Sequence, residues 1–435
     1  MWRETVGMEG SRRLAPPLRG VAGSLAPLGY GAAAFGAYFS MYAFRKPFAA
    51  ATYDQVAGWH HALDYKSALL IAQVIGYALS KLIGIRVIAE FGRSGRGAAI
   101  LALVAASWVA LLLFALTPAP WNIGFLFLNG LPLGLIWGLV FSYVEGRRTS
   151  ELIGAILCAS FIVSSGVVKT AATLVLNAGI APGWMPALTA LPFAPLLLGC
   201  VLLLERMPPP DARDVAERRE RAPMPTAARR AFLRAHGAAL ALLIAGYVLL
   251  TALRDFRDNF AAELWTALGA GGNAAVFSQS EIPVAVLALT GLAALMAVRD
   301  NRRAVLAMHA IILGGALLIA GSTAAFQLGL IGPLGWMILG GAGLYLAYTP
   351  YNAMLFDRMV AAVGQAANAG FLIYVADTSG YAGSVALLLY RSLGAGARDW
   401  LSFFTAACYV TAAAVALLTT LSALHFRRAA GRETA

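Results

Sequence analysis

Charge is scarce in this chain: 12% of its 435 residues are Asp, Glu, Lys or Arg, about half the share found in a soluble domain. Lysine is scarcer still, with four in all, Lys46, Lys66, Lys81 and Lys169. Arginine therefore does the surface work, and a lysine inside an apolar run becomes informative. The three cysteines, Cys158, Cys200 and Cys408, lie inside apolar runs without metal-ligand spacing, so they read as small core residues. Of the five histidines, His60 and His61 fall in a loop and His236, His309 and His425 near the ends of runs, which argues against a histidine proton relay. No phosphate-binding glycine loop, zinc spacing or nucleophile elbow occurs, and no metal or cofactor is expected. The net charge of +12 raises nucleic acid as a partner. The arginines, however, sit in short loops and at the termini, as membrane insertion demands, so no nucleic acid is expected.

What remains is apolar. The chain is 60% hydrophobic, and its repeated runs of 18 or more apolar residues identify an all-α integral membrane protein. Twelve spans are expected, near 27–51, 64–86, 97–117, 121–144, 151–176, 184–204, 237–262, 277–298, 304–326, 331–356, 366–390 and 399–424. They divide the chain into a lead-in (1–26), a six-helix half (27–204), a linker (205–236), a second six-helix half (237–424) and a tail (425–435). The first run contains Arg45-Lys46 and is too long for a signal h-region, so no cleaved signal is expected. Loops rich in arginine (Arg86/Arg93/Arg96, Arg147-Arg148, Arg299/Arg302/Arg303, Arg358) alternate with loops at 118–120, 177–183 and 327–330 that lack Lys and Arg. The positive-inside rule then puts both termini and the linker in the cytoplasm. A monomer in a bacterial inner membrane is the expectation.

One phrase occurs twice. Phe44-Arg45-Lys46-Pro47-Phe48-Ala49-Ala50 aligns with Phe256-Arg257-Asp258-Asn259-Phe260-Ala261-Ala262 at a shift of 212 residues. Leu128-Asn-Gly130 aligns with Leu339-Gly-Gly341, and Ser164-Ser-Gly166 with Thr378-Ser-Gly380, at shifts of 211 and 214. Two parallel repeats, with the first and seventh spans both running outward, follow. The expected architecture is two pseudo-symmetric six-helix halves.

Charges inside spans mark candidate sites, because each costs at least about 2.5–3.5 kcal/mol on insertion scales. Arg45 shares a helix face with Tyr38, Met41 and Tyr42, which suits a polar cavity better than snorkelling into headgroups. Arg257 stands at the matching position of the second repeat. Two guanidinium forks on one cavity imply an oxyanion ligand. Lys81, in Gly76-Tyr-Ala-Leu-Ser-Lys81-Leu-Ile-Gly84, either supports that site or snorkels to the cytoplasmic headgroups. Asp377 is a proton carrier or half of an interhelical ion pair. Lys169 and Glu281 lie in the outer parts of the fifth and eighth spans. Gly130, Gly134 and Gly138 form a small-residue ridge for helix packing.

The chain resembles the major facilitator superfamily and, within it, the organophosphate:phosphate antiporters, which include the glycerol-3-phosphate and hexose-phosphate carriers. The resembling residues are Tyr38/Tyr42 before Phe44-Arg45-Lys46-x-Phe48, and Tyr77-x-x-Ser80-Lys81-x-x-Gly84. They continue with Asn129-Gly130-x-x-x-Gly134-x-x-Trp137, the following Glu145-Gly146-Arg147, and Arg257. The resemblance implies that Arg45 and Arg257 bind phosphate, that Lys81 supports it, and that the solute is exchanged for another anion. The fifth span departs from the family. Where the family carries a Trp-Asn-x-x-His-Asn stretch, this chain reads Cys158-Ala-Ser-Phe-Ile-Val-Ser-Ser-Gly166. The grip on an anion is kept while its surroundings change, which points to a separate branch with another anionic solute.

The expected function is secondary transport of a small organic anion, a phosphorylated metabolite first, by alternating access with anion exchange. The alternatives are a membrane sensor of a phosphorylated solute and a proton-coupled carboxylate transporter. An enzyme is not expected, because no nucleophile–base pair stands out. In major facilitator folds the fifth span neighbours the eighth and the second the eleventh. Lys169–Glu281 is therefore expected to form an outer gate. Lys81 and Asp377 form a looser cavity pair, differing by ~9 Å in depth at 1.5 Å per residue.

Overall fold

A backbone in hydrocarbon must satisfy its own hydrogen bonds, so apolar runs of this length fold as helices. A computed structural model describes residues 21–90, 95–144, 150–208, 226–363, 369–394 and 399–432. Helices coincide with all twelve expected stretches. Nine of those described are long and apolar enough to cross a membrane. Leucines such as Leu174, Leu203, Leu317 and Leu417 stay exposed on the outside of the bundle, as a lipid-facing surface requires. Arg3, Arg12, Arg13, Arg19, Arg93, Glu145-Gly146-Arg147-Arg148 and the linker arginines Arg213, Arg218, Arg219 and Arg221 lie outside the described residues.

The packing repeats. Within the first half, the first span packs on the fifth and sixth, and the second on the fourth. Within the second half, the seventh packs on the eleventh and twelfth, and the eighth on the tenth. Between halves, the fifth meets the eighth and the second meets the eleventh. The glycine ridge sets one of these contacts. A Cβ on Gly130 would lie 2.3 Å from the Gln73 carbonyl oxygen, and one on Gly134 would lie 2.6 Å from that of Tyr77. The 214-residue echo behaves differently. Gly166 backs onto Phe277 and Glu281 of the eighth span, whereas Gly380 backs onto Tyr247 and Thr251 of the seventh. The echo stands two residues out of the 212 register, which is more than half a helical turn, so the two glycines face different neighbours.

The first span is broken where its charges begin. The helix Val21–Tyr42 ends before Arg45, and a 3-10 turn, Pro47–Ala50, follows. Pro47 has no N–H to continue the helical ladder. The freed carbonyls are taken by side chains: Asn129 Nδ2 donates to Phe44 O at 2.9 Å and Gln73 Nε2 to Arg45 O at 3.0 Å. Asn129 and Gln73 also bond each other at 2.7 Å, so the break is fixed. In the second repeat Asn259 replaces the proline, and the helix Thr226–Asn259 continues to it before Phe260 interrupts. That helix starts about three turns earlier than the expected 237. Thr226-Ala-Ala-Arg-Arg-Ala-Phe-Leu-Arg-Ala is a good helix former but too polar to register as a span. The last helix likewise runs on to Arg432, into the expected tail.

Candidate functional site: a charged core between the halves

Arg45 sits at the break of the first span, half-buried. Its guanidinium carbon lies 4.0 Å from the centre of the Tyr77 ring and 5.8 Å from that of Tyr42. Tyr38 completes the wall, edge-on to Tyr42 at 5.5 Å and to Trp137 at 5.0 Å. A desolvated cation on an aromatic face gains about 2 kcal/mol, well short of a counterion. Among the described residues Arg45 pairs with no carboxylate, and its buried Nε has no hydrogen-bond partner.

Arg257 does not mirror Arg45. It is buried, pairs with Glu281 at 2.7 Å and donates to Met337 O at 2.9 Å. It fits there because Gly341 has no side chain: a Cβ would meet its Nη2 at 2.6 Å. In the 212 register Gly341 stands opposite Asn129, so the slot that holds a backbone clasp in the first half holds an arginine in the second. The expected two-arginine clamp is therefore corrected: Arg257 is engaged inside its own half. An arginine missed in the sequence, Arg254, also belongs to this charged core. It stacks over Tyr348 at 4.3 Å and bonds Asp255 at 2.6 Å. Tyr42, its partner in the repeat, lies within electrostatic reach of both Arg45 and Arg254. The signal was available, since Arg254 precedes Arg257 by one turn in the same apolar run.

All four lysines belong to the first half, and each binds a carboxylate of the second. Lys66 holds Glu263 at 2.6 Å and Lys81 holds Asp377 at 2.8 Å. Lys46 holds Asp258 at 2.5 Å and Asn259 at 2.7 Å. Lys169 holds the other oxygen of Asp258 at 2.5 Å, which also accepts from Ser165. The expected Lys169–Glu281 pair is therefore corrected. The fifth and eighth spans do adjoin, but the seventh supplies two charges on consecutive residues. Arg257 captures Glu281, and Asp258 captures Lys169. Glu263 lies beyond the seventh span. Burial pushes its carboxyl above the usual range, against the opposing pull of Lys66.

Lys81 reaches Asp377 despite the expected difference in depth, and its ammonium lies 5.5 and 5.1 Å from the centres of the Tyr77 and Tyr381 rings. Tyr247 donates to the second Asp377 oxygen at 2.6 Å. The charges of this core do not balance. Four pairs are one to one: Lys66–Glu263, Lys81–Asp377, Arg254–Asp255 and Arg257–Glu281. Lys46 and Lys169 share one carboxylate, and Arg45 has none. Two positive charges are left over.

Two halves with matching internal contacts, joined across a charged seam, define a membrane protein of the major facilitator fold. Solved transporters share it. A POT family transporter in complex with a thioalcohol-conjugated peptide superposes with a TM-score of 0.60 at 12% identity, over 91% of this chain and 95% of that one. The nucleoside transporter NupG gives 0.59 at 14%, over 92% and 100%, and the D-xylose-proton symporter 0.57 at 15%, over 92% and 96%. The chain itself belongs to the family described as a family of unknown function (DUF5690), whose model matches residues 47–429. No curated protein matches the chain by sequence.

Proposed function

We propose that this protein is a secondary transporter of a small organic anion, working by alternating access between its two halves. The observation that carries the reading is Arg45, a deep cation without a carboxylate, on a tyrosine-lined wall of a core with two surplus positive charges. An uncompensated charge at membrane depth costs at least about 2.5–3.5 kcal/mol, and a bound anion removes that cost. Arg45 is the primary anion ligand, with Tyr38, Tyr42 and Tyr77 around it and Lys81 against the same Tyr77 ring. The resemblance to organophosphate antiporters favours a phosphorylated metabolite and exchange for a second anion. The arginine-rich loops favour cytoplasmic termini.

The test is uptake of radiolabelled anions by proteoliposomes, guided by a thermal-shift screen of phosphate esters, carboxylates and inorganic phosphate. Accumulation or counterflow of a stabilising anion supports the reading. An anion that binds to wild-type strength but never crosses makes the protein a sensor. A protein that no anion stabilises is not an anion carrier.

A further inference from the structure

One ion pair of the core is wetter than its neighbours. The Lys81 and Asp377 side chains are 25% and 20% exposed, whereas those of Lys66, Lys169 and Arg257 are at 2%, 2% and 4%. Lys81 and Arg45 also share a ring, since both cations lie against Tyr77. An anion seated on Arg45 is thus beside the lysine that neutralises Asp377, and the two compete for it. Lysine suits such sharing, because it is a point charge on a flexible stem without a bidentate fork.

The surroundings of Asp377 are equipped for both of its protonation states. Its Oδ2 accepts from Lys81, and its Oδ1 accepts from the Tyr247 phenol. A phenol has a single proton to give. Tyr247 has other acceptors for it, Asn352 Oδ1 at 3.2 Å and the Tyr348 hydroxyl at 3.1 Å. If Asp377 carries a proton, its O–H can donate to the Tyr247 oxygen while the phenol proton turns to Asn352. No buried group loses its partner in either state. The other charges facing the site do not substitute for Lys81. On the seventh span Arg254 is held by Asp255, whose other oxygen accepts from Ser384 of the eleventh span. The second span offers Tyr77 and the eleventh Tyr381, both uncharged phenols, and the tenth offers Asn352 and Tyr348.

We propose that Asp377 is a proton-binding site whose occupancy is tied to the solute through Lys81. When the anion draws Lys81 away, a carboxylate without its counterion at this depth takes up one proton from the solvent that reaches it. The proton and the anion then cross together, and one negative charge of the solute is cancelled. This rests on the reading of the protein as an anion carrier. It holds whether the return step is empty or carries a second anion.

The experiment counts protons on binding. Purified wild type in weak buffer at mildly alkaline pH, with a pH-sensitive dye, is titrated with succinate, glutarate, sulfate and a panel of phosphate monoesters. Proton uptake is divided by the anion bound, measured in parallel by calorimetry. The expected result is close to one proton per anion for wild type. Asp377→Asn, which keeps the shape and the Tyr247 contact, is expected to bind the anion with uptake near zero. Lys81→Gln is expected to bind more weakly, also with uptake near zero, because its Asp377 is already protonated before the anion arrives. Wild-type binding without proton uptake overturns the inference, and so does undiminished uptake by Asp377→Asn. Failure of every probe to bind wild type overturns the anion-carrier reading itself, and the inference with it.

Discussion

Asp258 is the residue whose loss should do most damage to the seam between the halves. It serves two buried lysines: Lys46 at 2.5 Å on one oxygen and Lys169 at 2.5 Å on the other. Its main-chain oxygen accepts from Lys169 as well. Removing one partner of a buried pair costs about 3–5 kcal/mol, because a charge is left unmatched. Asp258→Asn leaves two lysines without a counterion, with the new amide oxygen, Asn259 and the main-chain oxygen as their remaining neutral acceptors. Lys169→Met leaves Asp258 still matched by Lys46 and bonded to Ser165, so its effect should fall in the range of a lost charged hydrogen bond, about 1.5–3 kcal/mol. Adding Lys169→Met to Asp258→Asn removes one of the stranded charges and should recover part of the loss, a coupling a double-mutant cycle reads directly. The assay is hydrogen–deuterium exchange of the stretch Lys169–Asn177, which reports opening of this face. A loss of 3–5 kcal/mol raises opening by roughly two to four powers of ten at about 1.4 kcal/mol per decade. Exchange in Asp258→Asn no faster than in Lys169→Met would refute the reasoning.

Other substitutions test other parts of the core. Arg45→Lys keeps the charge but loses the fork and the flat stack on Tyr77, so anion affinity measured by calorimetry should fall about 10- to 100-fold. Glu281→Gln leaves Arg257 buried without a counterion and should lower stability in thermal unfolding by about 3–5 kcal/mol, with Arg257→Met restoring part of it. Gly341→Ala should act through the same pair, since its Cβ would meet the Arg257 guanidinium at 2.6 Å. Its effect should shrink in an Arg257→Met background. Gly134→Val presses on the Tyr77 carbonyl and Ser80, so folded yield from the membrane should drop sharply, while Gly124→Ala, with open space at its Cβ, should match wild type.

The spans were legible because length and apolarity alone demand helices in a bilayer, and the glycine ridge because backbones can approach closely only at small residues. The early start at Thr226 was hidden, since hydropathy does not see a helix of alanine and arginine. Arg45, Arg257, Lys81, Lys169, Glu281 and Asp377 were marked, and Lys81 and Asp377 do meet as expected, but Arg254, Asp255, Asp258 and Glu263 were passed over, and with them the partners of Lys169 and Arg257. Adjacent residues on a helix project about 100° apart. Arg257 and Asp258 therefore reach different neighbours, and a pairing drawn from adjacent spans and depth missed the partners a third helix offers. One pairing was nevertheless written in the repeat. Lys46 and Asp258 occupy the same position of the two halves, and equivalent positions near a two-fold axis are the ones that meet.

That last coincidence bears on how such a chain can arise and be taken apart. If one half were expressed alone and paired with a copy of itself about the same axis, two copies of Lys46, or two of Asp258, would face each other. The 2.5 Å attraction would become a like-charge contact in a poorly solvating interior. Opposite signs at a single repeat position thus act as a mating-type rule. Each half rejects its own kind and accepts the other, so two separately made halves should reassemble only as a mixed pair.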